Sequence, residues 1–323
     1  MTFAPKKKKT KTSAVHPSIL NLVRMLQIKR PAYSQNVQWF IEDYIAPLGG
    51  FTDKAGNHII CTSEASPVMF VSHTDTVHTK SGYQDIAISA CGDFLQLKDG
   101  SKSNCLGADC TTGVWLMLEM IEANIPATYV FCANEEIGGL GSAWLAKNNP
   151  DLFRGIDFAI SLDRKGTNSV ITHQFGGRCC SDLFASDIAK QLPSGFKPDD
   201  TGTFTDSANF IGLVGECSNL SVGYYNQHTA NETQSISHAL AMREALCRFD
   251  PSLLTKYREA GSYEPFDYAS YGASELWQWD YFEMSDYISE NAESVADYLL
   301  GLGVTLGELQ NAIEKPRYLT KGA

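Results

Sequence analysis

A chain of 323 residues with 43% apolar and 20% charged residues is long enough to bury a sizeable core without disulfide staples, which excludes a disordered or collagen-like chain. No segment approaches the roughly 20 uninterrupted apolar residues of a membrane-spanning helix. A net charge of −11 excludes a protein-wide nucleic-acid surface, because phosphate binding needs clustered positive charge.

The chain opens with Lys6 to Lys9 and Lys11, followed by no apolar signal-peptide core. Residues 1–15 read as a basic, disordered tail. Nine cysteines, an odd number without regular spacing, read as reduced thiols of a cytoplasmic protein, and Cys179-Cys180 is an adjacent pair rather than a CxxC.

From residue 18 to 29, apolar residues at Ile19, Leu20, Leu22, Val23, Leu26 and Ile28 have helical spacing. Continuous apolar runs at 68–71, 127–133, 156–162 and 220–224 have the character of strands buried on both faces. Between them, helical patterns fall at 111–123, 141–147 and 183–192. This alternation predicts a three-layer α/β/α fold with a mostly parallel, mixed central sheet. The expected catalytic domain spans residues 16–250.

Beyond it the composition changes. Residues 259–314 hold twelve Asp or Glu and no Lys or Arg, and eight of the twenty residues 263–282 are aromatic. Residues 251–323 therefore read as an acidic, aromatic C-terminal extension packed on the catalytic domain. The alternative roles are a surface for a protein partner or self-association, or a cover over the active-site mouth.

In open α/β sheets, ligands bind beyond the carboxyl ends of the strands. Here the run 68–71 leads into His73-Thr74-Asp75, 127–133 into Glu135-Glu136-Ile137-Gly138-Gly139, 156–162 into Asp163, and 220–224 towards His228. Asp109 precedes the helix expected from Thr111. Two histidines and several carboxylates without cysteine make an N/O donor set that suits Zn²⁺ and also Mn²⁺ or Co²⁺. Two metals sharing a carboxylate would use this count. In an extended segment Asp75 stands on the same side as His73 and can fix its tautomer. In the pair Glu135-Glu136, one carboxylate can bind metal while the other takes a proton from water. Gly138 and Gly139 then permit a tight turn.

His73-Thr74-Asp75, Gly107-Ala108-Asp109, Glu135-Glu136-Ile137-Gly138, Asp163 and His228 resemble, in order, the motifs of the co-catalytic zinc exopeptidases. That superfamily includes peptidase T, bacterial leucyl aminopeptidases and carboxypeptidase G. The likeness covers residues 16–246. It implies His73 and Asp163 on one metal, Glu136 and His228 on the other, Asp109 bridging, and Glu135 as general base. Only residues 164–227 separate Asp163 from His228, which leaves no room for the satellite domain of carboxypeptidase G. Cys110 stands where relatives often carry Asp, Asn or Lys.

The segment from Thr205 resembles the single-domain aminopeptidases, making Asp206 and Asn209 candidate pocket residues, with loop capping as the alternative. Arg178 is the candidate cation for a substrate carboxylate and His173 a candidate oxyanion stabiliser; His78 and Asp182 have no assigned place. The expected activity is metal-dependent hydrolysis of peptides, first as an aminopeptidase. A carboxypeptidase or N-acyl amino-acid deacylase is the close alternative. A catalytically silent protein that binds through its tail is the alternative of another class.

Overall fold

The computed structural model describes residues 17–262, together with helical positions Ala292 and Ala296. The chain divides into two compact units, Met1–Phe266 and Asp267–Ala323, and the fold described is that of the first. The expected basic tail (1–15) lies outside the described residues, as do the extension from 263 onward, its packing and its partner surface.

Among the described residues, the central sheet has eight strands. Four lie side by side and parallel, in the order Glu216–Ser221, Phe158–Arg164, Val68–His73 and Thr128–Cys132. Antiparallel strands His58–Cys61 and Phe51–Thr52 complete one edge. At the other edge Ser169–Ile171 runs antiparallel to Glu216–Ser221, and Lys197–Asp199 pairs parallel to Ser169–Ile171.

Alternation along the parallel strands sends their side chains into two separate cores. Val68, Phe70, Tyr129, Phe131, Phe158 and Ile160 join one, with residues of helices Pro17–Leu26, Ala108–Glu122, Asp182–Gln191 and Ile236–Leu246. Met69, Val71, Val130, Cys132 and Ala159 join the other, against Leu145 of helix Leu140–Asn148 and Phe210 of the short turn Asp206–Phe210. Two buried faces explain why these strands read as unbroken apolar runs, and they make the expected three layers. Each fully buried aliphatic or aromatic side chain contributes about 1.5–3 kcal/mol to that packing.

The run expected at 220–224 is displaced. The sheet strand is Glu216–Ser221, whose polar side chains are buried, and Tyr224–Tyr225 belongs to a second, four-stranded antiparallel sheet with Thr233–Ser235, Phe94–Leu97 and Ile86–Ile88. His228 therefore does not leave a central strand; it sits in the loop between two strands of the second sheet with a left-handed φ of 63°. Residues 164–227 build the sheet edge and its covering helix, with no inserted satellite domain.

All nine cysteines are unpaired. Among the described residues, no helix is long and apolar enough to cross a membrane. The fold also continues past residue 250, since buried Arg258 donates to the Gly215 carbonyl and Tyr257 N–H donates to Glu216.

Candidate metal centre

His73 ends its strand, Asp163 lies near the end of the adjacent one, and Glu135-Glu136 come after the strand on the other side of His73. The helix Ala108–Glu122 delivers Asp109 from a distorted start: Asp109 is extended (φ −47°, ψ 124°) and Cys110 left-handed (φ 62°). These residues meet in three groups, of which two share Asp109 and the third joins His73 to Glu135 and Glu136. Of the two, one contains His73, Asp109 and Asp163 and the other contains Asp109, Glu136 and His228; within each group, the donor atoms lie within 4.8 Å of one another.

Distances within the first group suit a cation. His73 Nε2 lies 3.5 Å from both Asp109 Oδ1 and Asp163 Oδ1, too far for a hydrogen bond. Donors about 2.1 Å from a tetrahedral ion are about 3.4 Å apart, so these atoms are spaced as two edges of such a shell. His73 Nε2, Asp163 Oδ1 and Glu136 Oε1 are all buried and have no hydrogen-bond partner. A buried polar atom left this way costs about 1–3 kcal/mol, and a bound cation relieves that cost. In the second group His228 Nε2 lies 2.8 Å from Asp109 Oδ2 and 3.3 Å from Glu136 Oε2. The residues fit a dinuclear divalent centre.

The electrostatics agree. Hydrogen bonds to Asp109 and Glu136 push the His228 imidazole up to about 11. Burial works against charge on His73, yet the surrounding groups, Cys110, Asp163 and Glu135 foremost, hold it well above its usual value. Burial, reinforced by Asp109, lifts the Asp163 carboxyl to about 8. For Asp109, burial is outweighed by the hydrogen bond from His228 and the nearby His73 imidazole, and its carboxyl falls below the usual range. A field that draws protons onto imidazoles also draws divalent cations.

Asp75 acts differently from expectation. The His73 ring donates from Nδ1 to the backbone carbonyl of Asp75 (3.1 Å), which fixes the tautomer, while the Asp75 carboxylate stands 3.6 Å from that nitrogen. This carboxylate, fully buried, accepts instead the backbone N–H groups of Glu135 (3.0 Å) and Glu136 (3.2 Å). It thereby orients the pair of glutamates. Gly138 and Gly139, both at positive φ, make the next turn. Glu135 Oε2 lies 3.7 Å from His73 Nε2, and burial above all raises its carboxyl well above the usual range.

The substrate-binding candidates Arg178, His173, Asp206 and Asn209 lie elsewhere. Arg178 is ion-paired to Asp182 (2.8 Å) and lines a separate cleft with His173, Lys197 and Asp199. Asp206 is buried and accepts from Ser142 Oγ (2.6 Å), and Asn209 donates to Ser142 Oγ (2.9 Å) and the Gly139 carbonyl. They cap the loop behind Glu135. The neighbouring Thr205 hydroxyl does reach the centre, donating to Asp163 Oδ2 (2.7 Å) and leaving Oδ1 to face His73.

Three supports are not evident from sequence. Glu232 is buried, and its carboxylate accepts four consecutive backbone N–H groups: Leu106 and Gly107 on Oε2, Ala108 and Asp109 on Oε1, all at 2.9–3.0 Å. Its one sequence signal is an acid four residues after His228. Gly107, at φ 74°, has no room for a side chain, since a Cβ would lie 2.9 Å from His78 Cε1. His78 in turn holds Thr76, Gln84 and the Cys105 carbonyl. Arg30, wholly buried, donates to the Thr74, Met25 and Ile28 carbonyls and to Thr111 Oγ1, with its guanidinium 3.8 Å from the centre of the Phe40 ring. It ties the His73 loop to the start of the Asp109 helix.

The three-layer fold is similar to that of solved aminopeptidase structures. Three solved structures make the likeness concrete. The aminopeptidase PepT of Bacillus cereus superposes with a TM-score of 0.55 at 15% identity, covering 73% of this chain and 98% of its own. A TET aminopeptidase from a Thaumarchaeota archaeon gives 0.56 at 12%, over 74% and 99%. The LapA aminopeptidase of Legionella pneumophila gives 0.51 at 13%, over 80% and 78%. No family model and no curated protein sequence matches the chain. At these identities the likeness establishes the fold.

Proposed function

We propose that this chain is a dinuclear metal-dependent exopeptidase, acting first as an aminopeptidase. The observation that carries the reading is the pair of donor groups sharing Asp109, with the buried carboxyl of Glu135 beside them. His73 and Asp163 would hold one ion, Glu136 and His228 the other, and Asp109 both. The N/O donor set favours Zn²⁺, with Mn²⁺ or Co²⁺ also suited. Bound divalent ions supply Lewis acidity, polarising a scissile carbonyl and lowering the pKa of water. Glu135 accepts the proton of the attacking water and returns it to the leaving amine, a role that a raised carboxyl pKa suits. Asp75 keeps Glu135 and Glu136 in register through their backbone N–H groups.

The aminopeptidase reading draws support from the PepT, TET and LapA structures and from the absence of a satellite domain between Asp163 and His228. Complete ligand and base sets oppose a catalytically silent binder. Nine unpaired cysteines support a reducing compartment such as the cytoplasm.

The test pairs elemental analysis of the purified chain with hydrolysis of free dipeptides, N-blocked peptides and N-acyl amino acids. Close to two metals per chain and cleavage of free-amine peptides alone are expected. Cleavage of blocked substrates would move the assignment to a carboxypeptidase or deacylase. No turnover with Zn²⁺, Mn²⁺ or Co²⁺ supplied would refute an enzyme. Glu135→Gln should lower kcat by about 10²–10⁴-fold with both metals retained, whereas Asp109→Asn should disturb both metal sites.

A further inference from the structure

A cavity of about 130 Å³ opens onto Asp109, Glu135, Asp163 and His228, and two cations share its lining: Arg164 and Lys165. Arg164 follows Asp163 directly, at the strand end. Its Nη2 donates to the Thr201 carbonyl (3.1 Å) and hydroxyl (2.8 Å), which hold the guanidinium in place. Its Nε is buried without a hydrogen-bond partner; it makes no ion pair within 4 Å among the described residues, and the Asp199 carboxylate, bound to the same Thr201, lies within its field. Lys165 is exposed, and its ammonium likewise has no hydrogen bond or ion pair there.

The acids lining this cavity are Asp109, Glu135 and Asp163, all belonging to the centre itself. Two divalent ions would offset the carboxylates of Asp109, Glu136, Asp163 and Glu135, and Arg164 and Lys165 are the Arg and Lys side chains of the lining. A half-buried guanidinium anchored through Nη2 alone keeps part of its planar fork of donors, which is suited to a carboxylate. The remaining lining residues include neutral hydrogen-bonding groups, Gln174 and Asn219, and an apolar wall, Phe204 and Ile171.

We infer that Arg164 and Lys165 form a carboxylate-binding subsite, so that the favoured substrate carries a negative charge close to the scissile bond. This rests on the exopeptidase reading for its reaction. The carboxylate is either the free C-terminus of a very short peptide or an acidic side chain. The cation assigned from sequence, Arg178, is engaged with Asp182 in another cleft.

The experiment compares alanyl-alanine, its C-terminal amide and alanyl-glutamate amide on the metal-loaded chain and on Arg164→Gln, Lys165→Gln and the double variant. Amidation of alanyl-alanine should lower kcat/KM by about 10–100-fold, the range of one or two charge-assisted hydrogen bonds. Recovery with alanyl-glutamate amide would assign the subsite to an acidic side chain, and no recovery to the C-terminus. In the double variant the preference should collapse while elemental analysis still finds the wild-type metal content. Lys165→Gln, on an exposed side chain, gives a partial loss free of folding effects.

Equal cleavage of acid and both amides by the wild type would overturn the subsite and leave the exopeptidase standing. If no peptide is cleaved, the exopeptidase reading falls, and calorimetric binding of alanyl-alanine against its amide decides the subsite. Tighter binding of the acid, lost in the double variant, upholds it; equal binding overturns it.

Discussion

Glu232→Gln isolates the support beneath the bridging aspartate. The carboxylate offers two oxygens, each accepting two backbone N–H groups from residues 106–109. An amide of the same shape keeps one such oxygen and turns an NH₂ group towards the other two donors. Two buried N–H groups then lose their acceptor, at about 1–3 kcal/mol each, so the folded chain should lose about 2–6 kcal/mol, less whatever water recovers by entering the loop. Because Asp109 N–H is one of the four donors, the same change should weaken metal binding, by about 10–100-fold for a support of this kind. Urea unfolding of the metal-free chain and calorimetric titration with Zn²⁺ read the two effects separately. A variant that unfolds within about 0.5 kcal/mol of wild type and binds two ions with unchanged affinity would refute the reasoning.

Burial, partly offset by Gln84, lowers the His78 imidazole to about 4. Between about pH 6.5 and 4 the unfolded chain therefore binds a proton that the folded chain refuses, and stability should fall by about 3 kcal/mol as pH drops through that window. His78→Asn should flatten this part of the curve in the metal-free protein, and parallel curves would contradict it. At Gly113 a methyl group would meet the Leu162 carbonyl oxygen at 1.9 Å and Ser72 Oγ at 2.5 Å. Gly113→Ala gains about 1 kcal/mol in helix propensity but forces the helix off the sheet, for a net loss of about 2 kcal/mol; an unchanged urea midpoint would count against that packing argument.

The layers were legible because Val68 to Val71 and Thr128 to Cys132 are buried on both sides, and continuous apolarity is the trace that leaves in a sequence. The strand Glu216–Ser221 left no such trace. Its Glu216 accepts from Ser181 and Tyr257, Ser218 donates to the Ile171 carbonyl, and Asn219 accepts the Asp163 N–H. Polar side chains satisfied by distant backbone look like a loop until those partners are known. The donor residues stood out because His73, Asp163 and the glutamate pair each follow an apolar run. Arg30 and Glu232 did not, since what they bind is largely backbone, which carries no residue identity. Arg164 stands in plain view beside Asp163 at a strand end, but nothing in the sequence sets it apart from Arg178 as a cation near the centre.

Arg30 has a consequence for the order in which this molecule forms. Its guanidinium joins the carbonyls of Met25 in the first helix and Ile28 in the short strand after it to Thr74 and Thr111, across separations of 44 and 81 residues. Glu232 closes on Asp109 across 123. Such contacts are slow to find because long loops must close before they are made. The earliest segment of the described chain therefore waits, with a cation destined for burial still solvated, until the middle of the polypeptide has been synthesised. The donor cluster is completed only when residues near 230 arrive. The two donor groups that share Asp109 are thus completed in order, His73, Asp109 and Asp163 first and the group with His228 last.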